Sequence, residues 1–260
     1  MTDVLGWRKK FGVIMPSTNT VAQPDMDRLR PPGVTNHFSR IGTINANATS
    51  NEAFYAASTR NYVMNDKAEM VALGPKVAEA LDTVMTCQPD HIVVAQSSHS
   101  FRNGLRGAAN FRDKMQERSG IAVSIGSFSL TAALKAFGGV KRIAFLTPYF
   151  PIANAEVRKY FTDEGFEVLD DIALQAPSWT GIAEITPKML IDTLKKLDGP
   201  KVDAIVQSGT NCSMVAVARA AEMWLNKPVL AVNVASYWHG LRTNGITDKV
   251  YGYGRLLEEF

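Results

Sequence analysis

The chain reads as an α/β protein built from two half-domains, each a small parallel sheet flanked by helices. Three observations predict this. Apolar runs of strand length, Ile92–Ala95 and Ala204–Val206, lack polar alternation and read as strands buried on both faces. Segments with helical spacing of apolar residues lie between such runs, as in chains whose helices cover parallel sheets. The order strand–strand–helix–strand–helix–strand then occurs twice, from Lys10 and again from Lys141, which predicts halves related by a pseudo-twofold axis.

Taken in order, Lys10–Met15 is the first strand and ends at Pro16-Ser17-Thr18-Asn19, a run of turn and cap formers. Val34–Ile41 alternates apolar and polar residues and reads as a more exposed second strand. Asn45–Asn51 reads as a loop, and Lys67–Thr86 as one helix. Ile92–Phe101 follows, where the buried strand opens onto Gln96, Ser97, Ser98 and His99. Arg106–Ser119 is an amphipathic helix closed by Gly120, Ile121–Ile125 a strand, and Ser127–Phe137 a helix closed by Gly138-Gly139. The second unit runs through strand Lys141–Leu146, helix Asn154–Glu164, strand Phe166–Leu169 and helix Pro187–Leu197. It continues with the polar strand end Ala204–Cys212, helix Met214–Leu225 and strand Pro228–Val232, before a short helix at Ser236–Asn244. The expected division is residues 1–127, rejoined by 233–260, against residues 128–232.

Composition narrows the function classes. The 260 residues are 46% hydrophobic and 20% charged, enough for a large core, with no low-complexity tract. A formal net charge of +3, with Lys and Arg scattered, provides no basic stripe for nucleic acid. No apolar run reaches the roughly 18–20 residues of a membrane span, and the first residues show no signal-peptide pattern, so a cytoplasmic soluble protein is expected. Cys87 and Cys212 form no disulfide framework, and the four histidines make no local metal motif.

Ligands of open parallel sheets bind beyond the carboxyl ends of the strands. A cleft between the halves would therefore collect Pro16, Ser17 and Asn19 from the first strand end and Gln96, Ser97, Ser98 and His99 from the central one. Thr147–Tyr149 and Gly209, Thr210, Asn211 and Cys212 would come from the second unit. Hydroxyls, amides and backbone N–H groups of this kind suit a small carboxylate. Phe54, Tyr55, Phe101, Trp179 and Tyr237 are candidates for an apolar wall, and equally for ordinary core. His239, in Tyr237-Trp238-His239, follows a strand end and either binds substrate or caps its own helix.

The same residues resemble a family. Pro16-Ser17-Thr18-Asn19, Ser97-Ser98-His99-Ser100-Phe101, Ala108-Ala109-Asn110-Phe111, Arg142–Tyr149 and Tyr251–Leu256 are similar to the aspartate/glutamate racemase superfamily, in its arylmalonate decarboxylase and maleate cis-trans isomerase branch. The resemblance implies the two-half fold, a site in the cleft, and chemistry without cofactor or metal on a small carboxylate. It implies that Ser97, Ser98 and Tyr149 cradle one carboxylate and the enediolate that develops from it. The family places cysteines at its strand ends. Here those positions fall on Gln96 and Gly209, with Cys212 three residues past the second. An amide or a glycine does not transfer protons near pH 7 as an activated thiol does. Ser98, His99, Cys212 and His239 are then the candidates for the reacting groups, with histidine titrating in the useful range.

Four functions follow from this reading. The leading one is a decarboxylase of malonate-type acids. The alternatives are a cis-trans isomerase or racemase, a carboxylate-binding protein without turnover, and a hydrolase, although no Gly-x-Ser-x-Gly elbow supports the last. A homo-oligomer is compatible with apolar outer helices.

Overall fold

The computed structural model describes residues 3–43, 62–64 and 70–260. The expected loop 45–51 and the candidate aromatics Phe54 and Tyr55 lie outside the described residues. Two four-stranded parallel sheets form the frame. The first has the order β2-β1-β5-β6, from Val34–Ile41, Lys9–Pro16, His91–Val94 and Val123–Ile125. The second has the matching order β8-β7-β9-β10, from Glu167–Ala173, Arg142–Thr147, Ala204–Gln207 and Val229–Ala231.

The repeat extends to single hydrogen bonds. Asp90 accepts the Lys10 N–H at 2.8 Å, and Asp203 accepts the Arg142 N–H at 2.8 Å, each just ahead of the central strand of its sheet. At the other end, the Ala95 N–H donates to the Ile14 carbonyl at 2.7 Å and the Ser208 N–H to the Leu146 carbonyl at 3.0 Å. Gln96 and Gly209, the next residue in each case, therefore occupy equivalent places.

The central strands are apolar because both faces are covered. Phe11, Val13, Ile14 and Met15 in β1 and Ala204, Ile205 and Val206 in β9 have no solvent exposure. The helices are α1 (Ala22–Leu29), α2 (Pro75–Met85), α3 (Ser97–Ser100), α4 (Gly104–Ser119) and α5 (Gly126–Ala136). They continue as α6 (Pro151–Asp163), α7 (Pro187–Leu197), α8 (Val215–Leu225), α9 (Val232–Thr243) and α10 (Arg255–Glu259). Helix α9 leaves the second sheet and packs against β5 and β6 of the first, and against α1 and α5.

Two expectations are corrected. Residues 67–86 are not one helix: Met70–Leu73 is strand β4, antiparallel to β3 (Tyr62–Met64), and only Pro75–Met85 is helical. Gly74 is extended, with φ −63° and ψ 152°, because the ring of Pro75 disfavours helical backbone in the residue before it. Pro75 then suits the first helical position, where its missing N–H is no loss. The helix expected at Ser236–Asn244 begins four residues earlier, directly after β10. The short helices α1 and α10 and the 3₁₀ turn Gly181–Glu184 carry too few apolar repeats to be read from periodicity.

Candidate functional site

A cleft lies at the carboxyl ends of the central strands of both sheets. It is lined by Pro16, Thr18, Asn19, Thr43, Gln96, Ser97, Ser98, His99, Tyr149, Trp179, Ile182, Thr210 and Asn211. Its empty space is about 560 Å³ with the open mouth included.

The centre is the turn after β5, which coils into the single-turn helix α3. The Ser100 hydroxyl donates to the Ser97 carbonyl at 2.8 Å and accepts the Ser127 N–H at 3.1 Å, so the turn is tied to the start of α5. The Ser97 hydroxyl lies 2.7 Å from the Tyr149 hydroxyl, which arrives from the other half. Thr147 shapes that arrival by accepting the Tyr149 N–H at 3.0 Å. Burial pushes the Tyr149 phenol up to about 12, against the opposing pull of its bonds to Ser97 and Ser98. It therefore stays a proton-bearing donor through the neutral range. His99 is 5% exposed, with Nδ1 3.4 Å from the Ser98 hydroxyl.

Amides join the two sides. Asn19 accepts the N–H groups of Val21 and Ala22, which starts α1, and donates to the Thr210 hydroxyl at 3.0 Å. Thr210 in turn donates to the Ala95 carbonyl at 2.9 Å. Asn211 accepts the Thr20 N–H at 2.9 Å and donates to the carbonyls of Thr18 and Trp179. Behind this layer, Asn233 donates to the Thr210 carbonyl and to Asp25, whose carboxyl burial pushes up from the usual range.

Several candidates from the sequence lie elsewhere. Ser17 is exposed, and its hydroxyl accepts the Thr43 N–H at 3.0 Å, which fixes a neighbouring loop without lining the cleft. Gly209 is a backbone device: φ is +134°, its carbonyl accepts from the Gln207 amide at 2.9 Å, and a Cβ there would sit 2.4 Å from Pro148 Cδ. Cys212 is 1% exposed and turned into the core, where burial pushes its thiol up to about 12. A thiol in that state stays protonated at neutral pH and is no nucleophile, and Cys212 does not line the cleft. His239 pairs through Nδ1 with the Ser124 hydroxyl at 2.8 Å, which also holds His91 Nε2 at 2.8 Å. That chain sits by the start of β5, at the opposite end of the strand from the cleft.

Of the candidate aromatics, Trp179 lines the cleft. Phe101 packs edge-on to Tyr160 in the core, and Tyr237 is buried against Phe11 with its hydroxyl donating to Asn36. Thr43 and Ile182 line the cleft without a signal in the sequence. Among the described residues no group of three or more His, Cys, Asp or Glu could hold a metal ion, and no helix is long and apolar enough to cross a membrane.

The family model for arylmalonate decarboxylase matches residues 65–257. Maleate isomerase from Alcaligenes faecalis is 26% identical over 262 residues, covering 95% of this chain and 96% of the relative. Maleate isomerase from Nocardia farcinica is also 26% identical, with 96% of each chain covered. Among solved structures, a serine variant of the Nocardia farcinica maleate cis-trans isomerase, with a covalently bound succinylcysteine intermediate, superposes with a TM-score of 0.82. It is 21% identical, with 97% of this chain and 99% of that one covered. A crystal structure of arylmalonate decarboxylase superposes with a TM-score of 0.73 at 21% identity, covering 96% and 100% of the two chains. The α/β fold of two parallel four-stranded sheets is the fold of these proteins.

Proposed function

The chain belongs to the arylmalonate decarboxylase family, and from that premise we propose a cofactor-independent lyase that decarboxylates a small malonate-type acid. One observation carries this reading: the Ser97 and Tyr149 hydroxyls meet at 2.7 Å in the cleft, beside Ser98 and the buried His99. Ser97, Ser98 and Tyr149 hold the carboxylate that is kept. The other carboxylate leaves as carbon dioxide when its bond to the central carbon breaks, and the electron pair passes into an enediolate. Hydroxyls aimed in advance at the growing negative charge stabilise this state without reorganisation, the type of stabilisation worth most in a site shielded from water. His99 returns a proton to the carbon and recovers one from solvent. The sum is one proton taken up and one carbon dioxide released per turnover.

A second reading is cis-trans isomerisation, favoured by the names of the full-length relatives. The Nocardia farcinica isomerase carries its succinyl intermediate on a cysteine. In this chain Cys87 donates its thiol to the Val84 carbonyl at the end of α2, and Cys212 is in the core, so neither supplies such a nucleophile. Proton NMR in deuterated water with phenylmalonate, methylmalonate and maleate separates the readings. The expected result is loss of one carboxyl from a malonate, with a single deuterium entering the same carbon. Conversion of maleate to its trans isomer without carbon loss would replace the lyase by an isomerase. Line broadening without turnover would replace it by a binding protein.

A further inference from the structure

Gln96 lines the cleft, is 6% exposed, and its Oε1 is shielded from solvent with no hydrogen-bond partner. The other side-chain amides of the cleft do not share this state. The amide groups of Asn19 and Asn211 are both engaged as donor and acceptor, and Gln207, below the equivalent turn of the other half, uses its amide on Gly209 and Val232. A buried acceptor left unpaired is costly, and such groups in a ligand cleft mark a place where the ligand completes the bonding.

The chemistry of the missing partner can be narrowed. An ionised carboxylate has acceptors only and does not pair with Oε1. An ammonium has donors only, and would suit one orientation of the amide and oppose the other. A hydroxyl both donates and accepts, so it satisfies Gln96 whichever way the amide is turned. The last torsion of a glutamine side chain is broad and soft, so turning the amide to a ligand needs no strained rotamer. Gln96 directly precedes Ser97, which pairs with Tyr149 at 2.7 Å. A group beside Gln96 is therefore attached to, or next to, the carbon whose carboxylate those hydroxyls hold.

We propose that Gln96 is a specificity residue that reads a hydroxyl on the substrate's reacting carbon, making the substrate class the 2-hydroxymalonates. The inference rests on the malonate-type reading of the same cleft. The substrate then loses one carboxylate as carbon dioxide, the electron pair enters the enediolate, and protonation of that carbon leaves a 2-hydroxy acid with its hydroxyl still on Gln96.

Calorimetric titration with hydroxymalonate and malonate tests this on the wild type and on Gln96→Met, with far-UV circular dichroism to show that the variant is folded. The wild type is expected to bind hydroxymalonate at least tenfold more tightly than malonate. In Gln96→Met the ratio is expected to fall to about one, because methionine keeps the length but offers no partner. Equal affinities in the wild type overturn the inference without any variant, and leave the malonate reading standing. A tenfold ratio that survives in folded Gln96→Met overturns the role of Gln96. Absence of binding by either acid overturns the malonate reading and this inference with it.

Discussion

At the scale of the residue, Tyr149 makes the sharpest case. Its hydroxyl reaches Ser97 across the cleft, and burial holds the phenol at about 12, so it donates at any ordinary pH. Tyr149→Phe removes one donor from the place where negative charge develops. The expected loss is about 10²–10³ in kcat, with about 1 kcal/mol lost from folding as the buried Ser97 hydroxyl loses a partner. Steady-state kinetics beside a urea titration check both, and a change confined to KM would remove the tyrosine from the enediolate cradle. Ser97, Ser98 and Tyr149 were legible as a pair of hydroxyls and a tyrosine at strand ends. Cys212 was not, because one register position separates a side chain in the cleft from one in the core. His99 lies in the cleft, and Cys212, at the matching position of the other half, is buried.

At the scale of the element, strand ends and helix starts decide what reaches the cleft. The turn after β9 depends on Gly209, whose φ of +134° is open to glycine and whose missing Cβ lets Pro148 approach. Gly209→Ala adds both a strained backbone and a contact with a rigid ring. It is expected to destabilise the fold by about 2 kcal/mol or more, read as a lower urea midpoint at unchanged m. An unchanged midpoint would mean that the loop of Pro148 yields freely. Elements with long apolar runs, such as β1, β5 and β9, were legible from sequence. The break at Gly74-Pro75 was available in the dipeptide, but helical spacing from 67 onward masked it, since a four-residue strand satisfies a helical pattern by chance.

At the scale of the whole molecule, the chain buries two histidines on one serine. His91 is fully buried and its pKa is lowered to about 4, by burial first and then by His239 and Lys9. His239 is lowered as well, by burial. A histidine whose folded pKa lies below its unfolded value leaves more protons on the unfolded chain. Stability is therefore full above about pH 6.5 and falls as the pH drops toward 4, by about 3 kcal/mol for His91 alone. Asp25 and Glu222, both raised by burial, act in the opposite sense at the acid end. Urea midpoints across this range, with the His91 ring protons followed by NMR, are expected to show a neutral ring down to about pH 4. Titration near 6.5 in the folded protein would break the assignment.

By itself the sequence determined the class of fold, the twofold repeat and the identity of the polar strand ends. These follow from local signals: strand-length apolar runs, helical spacing, and turn residues at the carboxyl ends of strands. Tertiary structure alone decided which of the polar residues share one cleft. Ser97 meets Tyr149, and Asn19 meets Thr210, only because two sheets bring their strand ends together across more than fifty and nearly two hundred residues of chain. Burial is likewise a property of the assembled core, so the silence of Cys212, the retreat of His239 to Ser124 and the unpartnered oxygen of Gln96 are set by packing.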